Sequence, residues 1–230
     1  MPFTLLLFDI DGTLIRTGGA GRKAMMAAFE QVLGIPKALE GLHLGGRTDL
    51  SILRYVLDTH VGNSEGLEEK STSLFASYLR HLPRTLEETQ GYEILPGVVD
   101  ILDWLSERSV PMGIATGNIR EGASLKLGRG DLWRYFSLGG FGDDAEVRSN
   151  ILRAGWKRAI NQFGGPETPE EVLVIGDTTR DITAAREAGM KVAAVATGSV
   201  SYQDLAAEKP DYLWESMFEG LSWMQNGGLS

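Results

Sequence analysis

The chain has 230 residues, with 31 acidic side chains against 22 Lys and Arg, a formal net charge of −9, and no cysteine. That balance excludes nucleic acid and anionic membrane as general partners, because there is no basic excess to displace counterions, and it obliges any anionic small ligand to find a local cationic pocket. Disulfides and thiol chemistry are likewise excluded, which suits a reducing cytosol and a cytoplasmic location, and the N-terminal apolar run stops at Asp9, far short of a membrane span.

The first element is the apolar run from Phe3 to Phe8, which leads straight into Asp9-Ile10-Asp11-Gly12-Thr13. Carboxylates at the end of a buried strand are expensive unless they are paired or bind a metal, so this segment predicts a catalytic metal site. An EF-hand loop also begins D-x-D but needs its glycine at the sixth position, whereas Gly12 falls at the fourth. From about Thr17 to Gln90 no strand pattern occurs. Met25, Ala28, Phe29 and Val32, and then Phe75, Tyr78, Leu79 and Leu82, repeat at helical spacing instead. Residues 17–90 therefore read as a helical insertion into a core made of residues 1–16 and 91–230, with hinges at Gly18-Gly19-Ala20-Gly21 and Gly91. Within it, Gly45-Gly46-Arg47-Thr48-Asp49 offers Arg47 as a residue that reaches substrate when a lid closes, and Thr48-Asp49 as a helix start. The three histidines, His43, His60 and His81, show no ligand spacing and read as surface residues.

Beyond Gly91, Val98, Ile101, Leu102 and Leu105 mark a helix after Pro96. Short apolar runs at Met112–Ala115, Val172–Ile175 and Val192–Ala196, with a weaker one at Ser137–Gly140, lack alternation. Strands covered on both faces look like this, and their alternation with helices predicts an α/β fold with a doubly wound parallel sheet. Ligands of such sheets bind beyond the carboxyl ends of the strands, so the polar residues there should converge on Asp9. After Ala115 come Thr116, Gly117 and Asn118, whose hydroxyl and amides suit oxyanion oxygens, ahead of a helix opened by Ile119. Arg148 heads a helix predicted over about Asn150–Phe163, where a guanidinium can offset phosphoryl charge. After Ile175 come Gly176-Asp177-Thr178-Thr179-Arg180-Asp181, two more acids for a magnesium site of hard oxygen donors. Gly140-Phe141-Gly142-Asp143-Asp144-Ala145 spells a dinucleotide fingerprint, but its acids would repel a pyrophosphate.

Taken in this order, Asp9 through Thr13, Thr116-Gly117-Asn118, Arg148, and Gly176-Asp177 through Asp181 resemble the haloacid dehalogenase superfamily of hydrolases over nearly the whole chain. The insertion resembles the small helical cap of its phosphoglycolate phosphatase and phosphoglucomutase branch. The resemblance implies a Rossmann-like core with five main parallel strands. It also implies that Asp9 is the nucleophile, that Asp11 is the general acid and base, and that Thr116, its neighbouring amides and Arg148 hold the phosphoryl oxygens. Magnesium would sit among Asp9, the main-chain carbonyl of Asp11, and Asp177, with Asp181 assisting. The family's third motif is most often lysine; this sequence has Arg148 there, with Lys126 and Lys157 as alternatives. The expected function is a magnesium-dependent phosphatase acting on a small phosphorylated metabolite. The alternatives are a phosphomutase and a catalytically silent protein that binds phosphate or magnesium. A dehalogenase is disfavoured by the second acid, Asp11, and a phosphonate-cleaving enzyme by the want of a lysine near Arg47.

Overall fold

No side chain from Leu5 to Phe8 is polar, and the computed structural model, which describes residues 3–63 and 65–229, buries all four as the central strand β1 (Leu5–Phe8). Leu6 and Phe8 face one apolar cluster, while Leu5 and Leu7 face another. This two-sided burial explains the missing alternation. β1 is flanked by β4 (Met112–Ala115) on one side and β6 (Val172–Gly176) on the other. Beyond them lie β5 (Leu138–Gly140) and, on the other wing, β7 (Lys191–Val195) and β8 (Tyr212–Trp214), giving the order β5-β4-β1-β6-β7-β8 with every pair parallel. The chain reverses its direction of growth beside β1, so the crevice at the strand ends opens there.

Helices α4 (Val98–Glu107), α5 (Arg120–Gly128) and α9 (Met217–Trp223) pack on the face that receives Leu6 and Phe8. α6 (Arg148–Phe163), α7 (Thr179–Ala188) and α8 (Tyr202–Ala207) cover the other. Strand β8 has no counterpart among the sequence expectations. Its three residues lie on the sheet edge, two of them only half-buried, so it lacks the continuous apolar run that marks its neighbours.

Between β2 (Ile15–Thr17) and β3 (Tyr92–Ile94) the chain forms α1 (Ala20–Leu33), α2 (Asp49–His60) and α3 (Leu67–Glu88), which share a separate apolar cluster centred on Phe29, Leu53 and Tyr78. The two short strands pair antiparallel, Ile15 opposite Ile94, as a two-stranded stalk that hydropathy does not reveal, because each has only three residues and Arg16 and Glu93 point to solvent. Gly18 sits at the top of this stalk with φ 60°, and a Cβ there would lie 2.0 Å from the Gln90 carbonyl oxygen, so only glycine lets the two connections run side by side. Thr48 caps α2: its hydroxyl accepts the Ser51 N–H at 3.1 Å and the Ser51 hydroxyl accepts the Thr48 N–H at 3.1 Å. Among the described residues no helix is long and apolar enough to cross a membrane.

Candidate active site

The segment after β1 is shaped by its glycine. Asp9 still follows the ladder, donating its N–H to the Ile175 carbonyl at 2.9 Å, and the chain then turns so that the Ile10 carbonyl accepts the Leu14 N–H at 2.9 Å. Gly12 takes φ 90°, where a Cβ would come within 2.4 Å of Asp177 Oδ2, and Thr13 donates its hydroxyl to Asp177 Oδ1 at 3.1 Å. Gly12 and Thr13 thus admit and aim an acid that stands just past β6, 164 residues beyond Thr13 in sequence. Gly198 approaches the same Asp177 oxygen from the other side, with an added Cβ only 1.7 Å from it.

Asp181 is fixed by the start of α7. Its Oδ2 accepts the Thr178 N–H at 3.0 Å and the Thr178 hydroxyl at 2.6 Å. Its other oxygen lies 2.5 Å from Arg148 Nη2, which is also 3.0 Å from Asp9 Oδ1. Carboxylate oxygens of Asp9, Asp177 and Asp181 all fall within 4.8 Å of one another, and all three side chains are buried. With all three ionised, one guanidinium against three carboxylates would leave an excess of two negative charges. Burial, with the neighbouring Asp181 and Asp11 charges, pushes Asp9 up to about 6 despite the opposing pull of Arg148. Burial, reinforced by Asp181 and Asp9, holds Asp177 well above the carboxylate range. Desolvation works against the charge of Arg148, but Asp181 and Asp9 outweigh it and keep the guanidinium protonated. Three hard oxygen donors within 4.8 Å of one another, more carboxylates than the one guanidinium can pair, fit a small divalent cation.

Asp11 goes elsewhere. Its carboxylate is not part of the triad; Oδ2 accepts from Lys126 Nζ at 2.6 Å and from Asn118 Nδ2 at 2.8 Å. Asn118 Nδ2 also donates to Thr116 Oγ1 at 2.8 Å, and the Asn118 N–H reaches that oxygen at 3.3 Å, so the Thr116 hydroxyl hydrogen is left to donate. The Ile119 amide ahead of α5 is claimed by the Asp49 carboxylate at 2.8 Å, and the Asp49 N–H bonds the Gly117 carbonyl at 2.8 Å. Asp49, at the first turn of α2, is thus an acid of the insertion buried against the core. Burial raises it to about 6, with Lys126 pulling the other way.

These groups border a cavity of about 220 Å³ whose walls include Asp9, Asp11, Thr116 and Arg148 from the core and Arg47 and Met25 from the insertion. Arg47 is held by its Nε, which donates to the His43 carbonyl at 3.1 Å, and it lies over the Tyr55 ring. Both Arg148 and Lys126 reach the cavity, one beside Asp9 and the other beside Asp11, whereas Lys157 is exposed on α6. Asp49 and Tyr78 also line it, though sequence reasoning gave them no functional part. The glycines at 140 and 142 serve packing: a Cβ at Gly140 would lie 1.9 Å from the Ile151 carbonyl oxygen, and one at Gly142 2.1 Å from that of Gly117.

A doubly wound parallel sheet gathers buried acids at the switch point of its strand order, with the helices α1 to α3 beside them. The chain belongs to the haloacid dehalogenase-like hydrolase family, whose profile matches residues 6–195. A phosphoglycolate phosphatase of Synechococcus elongatus is 34% identical over 144 residues, 61% of this chain; the match spans 64% of that protein, less than two thirds of its length. The pyrophosphatase PpaX of Halalkalibacterium halodurans is 28% identical over 222 residues, 94% of each chain. Among solved structures, a hydrolase from Pseudomonas syringae superposes with a TM-score of 0.74 at 23% identity, covering 97% of this chain and 99% of that one, a likeness of fold.

Proposed function

We infer that the protein is a magnesium-dependent phosphatase that hydrolyses a small phosphorylated metabolite through an aspartyl-phosphate on Asp9. The observation that carries this reading is the gathering of Asp9, Asp177 and Asp181 within 4.8 Å beside the guanidinium of Arg148, with Asp9 and Arg148 lining the cavity. Asp9, Asp177 and Asp181, with the main-chain carbonyl of Asp11, are the residues to hold the cation. When bound, magnesium supplies charge neutralisation to the phosphoryl oxygens and to the crowded carboxylates.

Asp9 attacks phosphorus, and Asp11 gives a proton to the leaving oxygen as the phosphorus–oxygen bond breaks. Asp11 then takes a proton from water as that water attacks the phosphorus and frees Asp9. Three donors are suited to the phosphoryl oxygens. They are the Thr116 hydroxyl, the Gly117 N–H, and Arg148 Nε, which is buried and has no hydrogen-bond partner among the described residues. An unpaired buried donor is costly, and a bound oxyanion removes that cost. Residues 17–90 act as a cap over the core of residues 1–16 and 91–230, shielding the acyl phosphate from bulk water, with Arg47 toward the leaving group. The names carried by relatives, a phosphoglycolate phosphatase and a pyrophosphatase, support a small anionic phosphorylated substrate.

The test is phosphate release from a panel of phosphorylated metabolites that includes phosphoglycolate, pyrophosphate and sugar phosphates, with magnesium and with chelator. Release that requires magnesium is expected; no release from any phosphoester would reject the reading.

A further inference from the structure

Lys126 is a buried ammonium that the acid cluster does not use. It lies on the inward stripe of α5 with Gly122, Ala123 and Leu127, and its side chain is 6% exposed. Gly21 of α1 makes room for it, since a Cβ there would lie 3.2 Å from Nζ, and Tyr78 of α3 packs close by. Desolvating a lysine is expensive without partners. Its partners are Asp11 Oδ2 at 2.6 Å and Asn118 Oδ1 at 2.6 Å, with the Asp49 carboxylate of the cap as a further nearby charge.

Asn118 completes the arrangement, because each of its side-chain polar atoms is committed: Oδ1 to Lys126, and Nδ2 to both Asp11 Oδ2 and Thr116 Oγ1. Asp11 Oδ2 is therefore pinned by two donors. Its Oδ1 accepts no hydrogen bond among the described residues, and the side chain, 41% exposed, borders the cavity.

The structure assigns to Lys126 the part of a positioning residue for Asp11: with Asn118 as a second arm it fixes one carboxylate oxygen, so that Oδ1 alone gives and takes the proton. This rests on the phosphatase reading. In the first half-reaction the Oδ1 proton passes to the leaving oxygen as its bond to phosphorus breaks. In the second, Oδ1 receives a proton from the attacking water as the bond from phosphorus to Asp9 breaks. A carboxylate free to rotate would present either oxygen, in a range of directions, and would lose the alignment that makes proton donation effective.

Alignment of the acid matters for a leaving group that departs as a basic alkoxide and hardly at all for one stable as an anion, which a merely structural lysine would not distinguish. Lys126→Met keeps the apolar stem and removes the ammonium. Its first-turnover release of leaving group, read by rapid quench with magnesium present, should fall on the order of 10²-fold for an alkyl phosphate and less than ~5-fold for p-nitrophenyl phosphate. Lys126→Gln, which keeps a neutral donor on a stem of similar length, should show a smaller version of the same split and serves if Lys126→Met does not fold. Equal slowing of both substrates, or slowing of neither, overturns the assignment. A wild-type protein that releases neither leaving group overturns the phosphatase reading itself.

Discussion

Only Ile10 separates Asp9 from Asp11, yet the two acids enter opposite environments. The Asp9 side chain is 7% exposed and joins two other acids around one guanidinium, whereas that of Asp11 is 41% exposed and is matched by an ammonium and an amide. The Asp9 side is overcharged, with three acids to one guanidinium, while Asp11 has an ion pair of its own with Lys126. The chain leaves the ladder between them: Asp9 still pairs with β6, the turn then begins at Ile10, and Asp11 meets Lys126 of α5. A short motif thereby supplies two carboxylates in unlike surroundings, which in the proposed reaction take the unlike parts of nucleophile and proton carrier.

The comparison breaks if both acids serve the same end, so the largest expected effect separates them. Asp9→Asn should abolish turnover, by ~10⁴-fold or more, with circular dichroism unchanged; Asp11→Asn should cost between about 10² and 10⁴-fold. Equal, small losses would remove the nucleophile assignment. Next is Arg148→Met, which strips the overcharged half of its cation. Breaking a buried pair in this way is worth about 3–5 kcal/mol. Urea unfolding should show that loss in chelator and a clearly smaller one in excess magnesium.

The charge excess also has a pH signature. Burial raises Asp9 from 3.8 to about 6, so between those values the folded protein binds a proton that the unfolded chain does not. The metal-free protein therefore loses this contribution to stability as pH rises from about 4 to 6, with nothing further lost above that range. Asp9→Asn does not titrate, so in chelator its melting temperature relative to wild type should climb across that interval. A constant gap would mean that the Asp9 carboxylate carries no penalty. The smallest effect belongs to the cap: Thr48→Ala removes the N-cap of α2 and a hydrogen bond to the Glu146 carbonyl at 2.9 Å. A loss of about 1 kcal/mol in urea unfolding is expected, with the metal-dependent stabilisation unchanged.

The strands that carry the site were legible because burial on both faces leaves an unbroken apolar run, as at Leu5–Phe8 and Val172–Ile175. Arg148 was legible for a related reason, as a charged residue at the head of a helix whose inward face follows it. In the sequence, Lys126 stands out only as an alternative basic residue for the third motif. Its position on the inward stripe of α5, between Ala123 and Leu127, was the signal that a lysine there must meet an acid. Asp49 gave less warning. Beside a capping threonine it reads as a first-turn acid completing its own helix, and in the fold it reaches the amide that leads into another.

Local order by itself determined that acids stand at two strand ends, that a glycine follows the first, and that helices intervene between residues 17 and 90, because these depend on which neighbours share a face or a turn. Which acids share one charge centre, and that Lys126 serves Asp11 while Arg148 serves Asp9, was decided only by the order of strands in the sheet and the docking of α2 against the loop after β4. Periodicity reveals that a side chain faces inward; what it meets there depends on segments more than a hundred residues away.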